Sequence, residues 1–143
     1  MNQDALRLLD KHPVCSLTTL LKDGSPHAAA VHFSYSAEPL ELYFSTSRTS
    51  KKCEALLDGS ATKASVALGF SEEEWLTLQL DGEIKSVTDP AELSRIQTIH
   101  YAKHPRAAKF KDDPETLFLK FTPTWWRYTD YNTVPETVVS SEG

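Results

Sequence analysis

Hydrophobic and polar positions alternate most clearly over 75-WLTLQLDGEIKS-86. Leu76, Leu78, Leu80, Gly82 and Ile84 fall on one face, and Thr77, Gln79, Asp81, Glu83 and Lys85 on the other. At about 12 residues this strand exceeds the usual length of five or six, and Gly82 is a place for it to bend. The same reading predicts strands at VCSLTTLL (14–21) and HAAAVHFSY (27–35), joined through Asp23-Gly24, a strong hairpin signal because glycine tolerates positive φ. LELYFS (40–45) is a third strand and KASVALGF (63–70) a small-residue central one. LFLKF (117–121) and WWRYTDY (125–131) are two more, meeting near Pro123.

Helical spacing is confined to three short runs. Residues 3–11 place Leu6, Leu9 and Leu8 inward before Pro13 ends the helix. KKCEALLD turns Cys53, Leu56 and Leu57 to one side, with Gly59 as its stop. A third helix opens at TDPAEL, with Asp89 as cap, Pro90 in the first turn and Glu92 completing a capping box, and runs to about His104 before Pro105. Roughly six strands at hairpin spacing, the two segments at Pro123 lying end to end, and three short helices predict a mainly β (α+β) fold, a small six-stranded antiparallel barrel with helices at its edges. It forms one domain over 1–143, whose unpatterned tail from 132 is either disordered or packed on the domain.

Composition narrows the partners. The chain has 143 residues and a formal net charge of −5, so a nucleic acid, which needs Lys and Arg over a large face, is not the expected partner. No run approaches the length of a membrane span and no leader pattern opens the chain, which points to a soluble cytoplasmic protein without membrane contact. Cys15 and Cys53 lack metal or redox spacing and read as buried thiols.

Against that acidic background, 45-STSRTSKK-52 gathers three cations and five hydroxyls without an acid. With Ser50 as N-cap, Lys51 and Lys52 fall in a first helical turn, where the helix dipole disfavours cations. A phosphate would reverse that sign, gathering the hydroxyls of Thr46, Thr49 and Ser50 and both ammonium groups around one dianion. A solvated turn fits the same residues, and the motif of a nucleotide triphosphate loop is missing.

The segments 43-YFSTSRTSKK-52, 63-KASVALGF-70, 75-WLTLQLDGEIKSVTDP-90 and 118-FLKFTPTWWRYTDY-131, in that order, resemble the pyridoxamine 5′-phosphate oxidase-like, FMN-binding split β-barrel family. The resemblance implies a homodimer with FMN at its interface. It puts Thr46, Ser50, Lys51 and Lys52 at the phosphate or ribityl chain, and Ala28, Ala29, Ala30 and Val31 along the flavin edge. Trp75, Thr77 and Trp126 or Tyr128 would wall the pocket from the partner side. It also implies hydride or electron transfer between a nicotinamide cofactor, NAD(P)H, or another donor and an unidentified small-molecule substrate. The flavin carries that chemistry, so no acid–base pair need be legible.

Departures from the family pattern limit the resemblance. Ala29 and Ser34 stand where the oxidases bring an arginine and a lysine toward the phosphate, and no C-terminal arginine and histidine grip a substrate. Oxidation of pyridoxamine phosphate is therefore not expected. A non-catalytic flavin-binding or sensing module, a haem-binding relative and a deazaflavin protein are the alternatives. His100 and His104 have zinc-type i, i+4 spacing but no third ligand and read as a solvated helix face, while His27 and His32 fall on opposite faces of their strand. No catalytic residue is identified.

Overall fold

The computed structural model describes residues 1–142. Helix α1 (Gln3–Lys11) is capped by Asn2, whose side chain accepts from the Ala5 amide, and buries Ala5, Leu8 and Leu9. The strands are β1 (Val14–Leu20), β2 (Pro26–His32), β3 (Ser34–Ala37), β4 (Leu40–Ser47), β5 (Thr62–Leu68), β6 (Leu76–Ser86), β7 (Thr116–Asp130) and β8 (Thr137–Ser140). Helix α2 (Pro90–Lys103) lies between β6 and β7 and is followed by a 3₁₀ segment, Pro105–Phe110.

Every adjacent pair is antiparallel, in the order β2-β1-β5-β6-β7-β4-β3, with β8 added to β7. The two ends of that path, β2 and β3, are separated in the chain by Phe33 alone. A sheet whose first and last strands are joined by one residue must curl back on itself, and this produces the split barrel. The split runs beside β2, which touches β4 without pairing with it.

Leu17, Leu42, Phe44, Leu68, Leu78, Leu80, Ile84 and Phe121 fill the interior, each with no exposed surface. Burying each removes a side chain from water at about 1.5–3 kcal/mol apiece before entropy is counted. A second cluster, Tyr43, Val87, Ile96 and Phe118, fixes α2 to the opposite side of β4 and β7. Ion pairs from Lys120 to Glu92 at 2.8 Å and to Glu41 at 3.9 Å border it.

Four sequence expectations change. The path holds seven strands rather than six, because 27–35 breaks at Phe33, and β8 from the tail pairs with β7 as an eighth strand off that path. The segments 117–121 and 125–131 are one strand, β7, since Pro123 sits opposite Gly82 where the β6–β7 register shifts and the missing N–H is absorbed by the bulge. KKCEALLD forms only a 3₁₀ turn at Lys51–Cys53 followed by hydrogen-bonded turns; Leu57 is half exposed, although Gly59 does take a φ of +83°. Asp89 caps α2 through the Glu92 amide at 2.9 Å, but the Glu92 carboxylate accepts from Lys120 instead of closing the box.

Candidate functional site

The hydroxyl and lysine run leaves the barrel at the end of β4. Thr46 Oγ1 and Ser50 Oγ lie 3.3 Å apart, and the Ser50 hydroxyl donates to Ser47 O at 2.7 Å. Ser50 stands at the cap position of the 3₁₀ turn but makes no side-chain cap there. A turn of three residues also has little dipole, so the charge conflict expected at Lys51 and Lys52 largely disappears. Lys51 is exposed and Lys52 half-buried, its carbonyl accepting from Thr19 Oγ1 at 2.9 Å. The turn touches β2 across the split.

On β2, Ala29 and Val31 pair with Leu17 and Cys15 and face the interior, whereas Ala28 and Ala30 pair with Thr18 and Ser16 on the outer face. Phe33 N donates to Pro13 O at 3.2 Å. Main-chain groups alternate sides along a strand, so those of Ala28, Ala30 and His32 point away from β1, off the unpaired edge. Small side chains and free main-chain groups thus coincide there.

Beside this edge opens a cavity of about 730 Å³. His32 of β2 and Ser45, Thr46 and Ser47 of β4 form one side, and His100, Lys103 and His104 at the end of α2 form another. The 3₁₀ segment adds Arg106, Lys109 and Phe110. The three imidazoles form a row, His32 to His104 at 5.1 Å and His104 to His100 at 5.0 Å between ring centres. His104 Nε2–H donates to Phe33 O at 2.7 Å, which leaves Nδ1 as an acceptor. His100 Nδ1 bonds Ser34 Oγ at 2.8 Å. Burial, helped by His104, His32 and Lys103 nearby, pushes His100 down to about 4, and burial also lowers His104. Lys103 is brought down to about 8 by burial while its ammonium donates to Leu9 O and His12 O at 2.9 and 2.8 Å.

His100 and His104 are therefore not a solvated helix face. His100 is 1% exposed, because the end of α2 is pressed onto the β2–β3 junction. Among the described residues no group of three or more His, Cys, Asp or Glu is arranged to hold a metal ion. The cavity was the part of the site that linear reading missed; its only trace was the density of cations and imidazoles over 100–109, in segments whose meeting with β2 and β4 is a matter of topology.

The remaining candidates lie elsewhere in the chain. Trp75, 56% exposed and at φ +58°, lines a separate cleft of about 300 Å³ with Thr77, Phe70 and Tyr131. Trp126 shares the inner face of the sheet with Leu80 and packs against the core, and Tyr128 is buried in it. Cys15 and Cys53 are free and buried. No helix among the described residues is long and apolar enough to cross a membrane.

Solved structures share this architecture. A protein related to general stress protein 26 of B. subtilis, from Clostridium acetobutylicum and of the pyridoxinephosphate oxidase family, superposes with a TM-score of 0.72 at 18% identity, over 97% of this chain and 93% of its own. A haem-binding protein from Mycobacterium smegmatis gives 0.76 at 16% identity over 98% of this chain and 57% of its own. The haem storage protein HutZ from Vibrio cholerae gives 0.68 at 11% over 84% and 87%. At these identities the likeness concerns the fold. None of the curated proteins is similar enough to count as a relative. The sequence profile of the pyridoxamine 5′-phosphate oxidase family matches residues 1–130, and the chain belongs to that family.

Proposed function

We propose that the protein binds FMN between two copies of itself and serves as an oxidoreductase, passing hydride or electrons from NAD(P)H or another donor to a small acceptor. The observation that carries this reading is the unpaired edge of β2, with the main-chain groups of Ala28, Ala30 and His32, opening beside the Thr46 and Ser50 hydroxyls. A flavin ring needs such an edge for its carbonyl and imide groups, and alanines let it approach the backbone. The residues present fit the cofactor. Thr46, Ser50, Lys51 and Lys52 would hold its phosphate, and Ala28 to Val31 would flank the ring. Trp75 and Thr77, far along the sheet from that edge, would contribute from the partner, and Trp126 would support the wall from the core. FMN when bound supplies the hydride or electron transfer; the chain orients it and excludes water.

Ser34 is sealed against His100, and Ala29 points into the barrel, so neither adds to the phosphate site. This supports an activity other than pyridoxamine phosphate oxidation. Titration of purified protein with FMN and riboflavin tests the reading. Lys51→Ala with Lys52→Ala is expected to weaken FMN by about tenfold or more and riboflavin little, as the loss of charge-assisted phosphate contacts requires. Absence of binding at high micromolar FMN would overturn it. A haem reading draws on one observation, the imidazoles of His32 and His104 opening on a large cavity. A Soret band on adding haem that is lost in His32→Ala and His104→Ala would favour it over FMN.

A further inference from the structure

We infer that the cavity between β2, β4 and the end of α2 is a binding site for an aromatic carboxylate, and that the ligand is taken up together with a proton held by the imidazole row. The cavity's chemistry has two parts. Arg106 and Lys109 offer cations at one wall beside Lys103, while Phe110 and Pro105 supply apolar surface. An anionic head on a flat apolar body uses both, whereas a purely polar anion leaves the apolar wall unused and a neutral ring leaves the cations unused. Asp113 and Glu115, also at the cavity, are outnumbered by the cations and set the side from which an anion is excluded.

The proton follows from the arrangement of the histidines. His104, at the end of α2, lies between the other two, its ring centre 5.1 Å from that of His32 of β2 and 5.0 Å from that of His100; uncharged Ser34 of β3 bonds His100, and Lys103 lies nearby. From the other packed elements, Asp10 of α1 and Cys15 of β1 act on Lys103 and Phe118 of β7 packs edge-on against His100, as does Tyr101 of α2 itself. No carboxylate hydrogen-bonds to His100 or His104 among the described residues; their recorded partners are Ser34 Oγ and Phe33 O. Burial, together with the neighbouring charges, therefore keeps His100 and His104 neutral near pH 7. A carboxylate lodged among them reverses this, since an opposite charge within a few ångströms favours the imidazolium. By linkage, a ligand that raises a group's proton affinity binds more tightly as pH falls.

This inference acts through Arg106, Lys109, His100 and His104, whereas the FMN phosphate test acts through Lys51 and Lys52; the cavity also holds Thr46 and is the one the haem reading uses, and the Soret band tells haem from a carboxylate ligand. The experiment is calorimetric titration of cofactor-free protein with 2-naphthoate, and with neutral 2-naphthalenemethanol, at about pH 6 and pH 8 in buffers of different ionisation enthalpy, a range that brackets imidazole titration. Naphthoate is expected to bind about tenfold or more tightly at the lower pH with net proton uptake, since one coupled proton changes affinity by up to tenfold per pH unit. Arg106→Gln with Lys109→Gln should weaken it at both pH values, and His104→Gln should weaken it mainly at the lower pH and so flatten the pH dependence. Equal affinity for the neutral alcohol, pH-independent binding of naphthoate, or no heat at millimolar naphthoate at the lower pH would each overturn the proposal. Circular dichroism spectra matching the unmutated chain establish that the variants are folded.

Discussion

Ser34 Oγ and His100 Nδ1 lie 2.8 Å apart, both residues buried, and so close the contact between β3 and the end of α2. The family resemblance sets this serine at a position where a lysine directed toward phosphate is expected. Here it is spent on holding a neutral imidazole. The contact makes the fold sensitive to acid.

His100 is held down to about 4, against an ordinary value of 6.5, chiefly by burial. The unfolded chain binds this proton first as pH falls, so stability is complete above about pH 6.5 and declines toward pH 4, by at most about 3 kcal/mol from this group. His104 shifts in the same direction and adds to the loss. Urea unfolding at about pH 7.5 and pH 4.5 should show the decline, and His100→Gln should reduce it. An unchanged pH slope in that variant would remove His100 as its source.

Gly82 meets β7 at the bulge, where an added Cβ would stand 2.2 Å from Thr122 O and 2.8 Å from Pro123 Cα. Both are backbone atoms, which cannot rotate away. Gly82→Ala should cost about 1–3 kcal/mol or more, as overpacking does. Gly24→Ala, in open space but at φ +85°, should cost about 1 kcal/mol from the left-handed conformation alone. Thermal unfolding of the two variants side by side checks the order, which would be reversed if β7 could shift freely.

Lys103 ties α2 to the C-terminal end of α1 through Leu9 O and His12 O, with its ammonium 3.8 Å from the centre of the Phe33 ring. Lys103→Met keeps the stem and removes the donors, leaving two carbonyls short of partners at a cost of about 1–3 kcal/mol. Amide exchange should quicken in α1 before it does in β5 and β6. Uniform quickening would mean that α1 is not a separately loosened unit.

Much of the fold was legible along the chain because its signals are local. The alternation over β6, the Asp23-Gly24 turn, the Asp89 cap and the apolar face of α1 each depend on neighbours within a few residues, and each stands where periodicity and turn chemistry put it. The reading failed where a local sign had two outcomes. Pro123 marks a break in isolation, yet β7 runs through it because Gly82 on the facing strand accommodates the bulge. The tail from 132 carries no pattern of its own, and Thr137–Ser140 becomes a strand only because the edge of β7 is there to pair with.

The candidate site divides in the same way. Sequence order alone identified the family, and it put forward the run Thr46 to Lys52 as a candidate, since that run is contiguous and its position in the chain is a linear fact. The cavity belongs to the tertiary structure. His32 is 68 residues from His100, and nothing near either marks them as neighbours. They meet because Phe33 joins the two ends of the sheet and the end of α2 covers the join, burying His100 and half-burying His104, which helical spacing alone assigned to solvent.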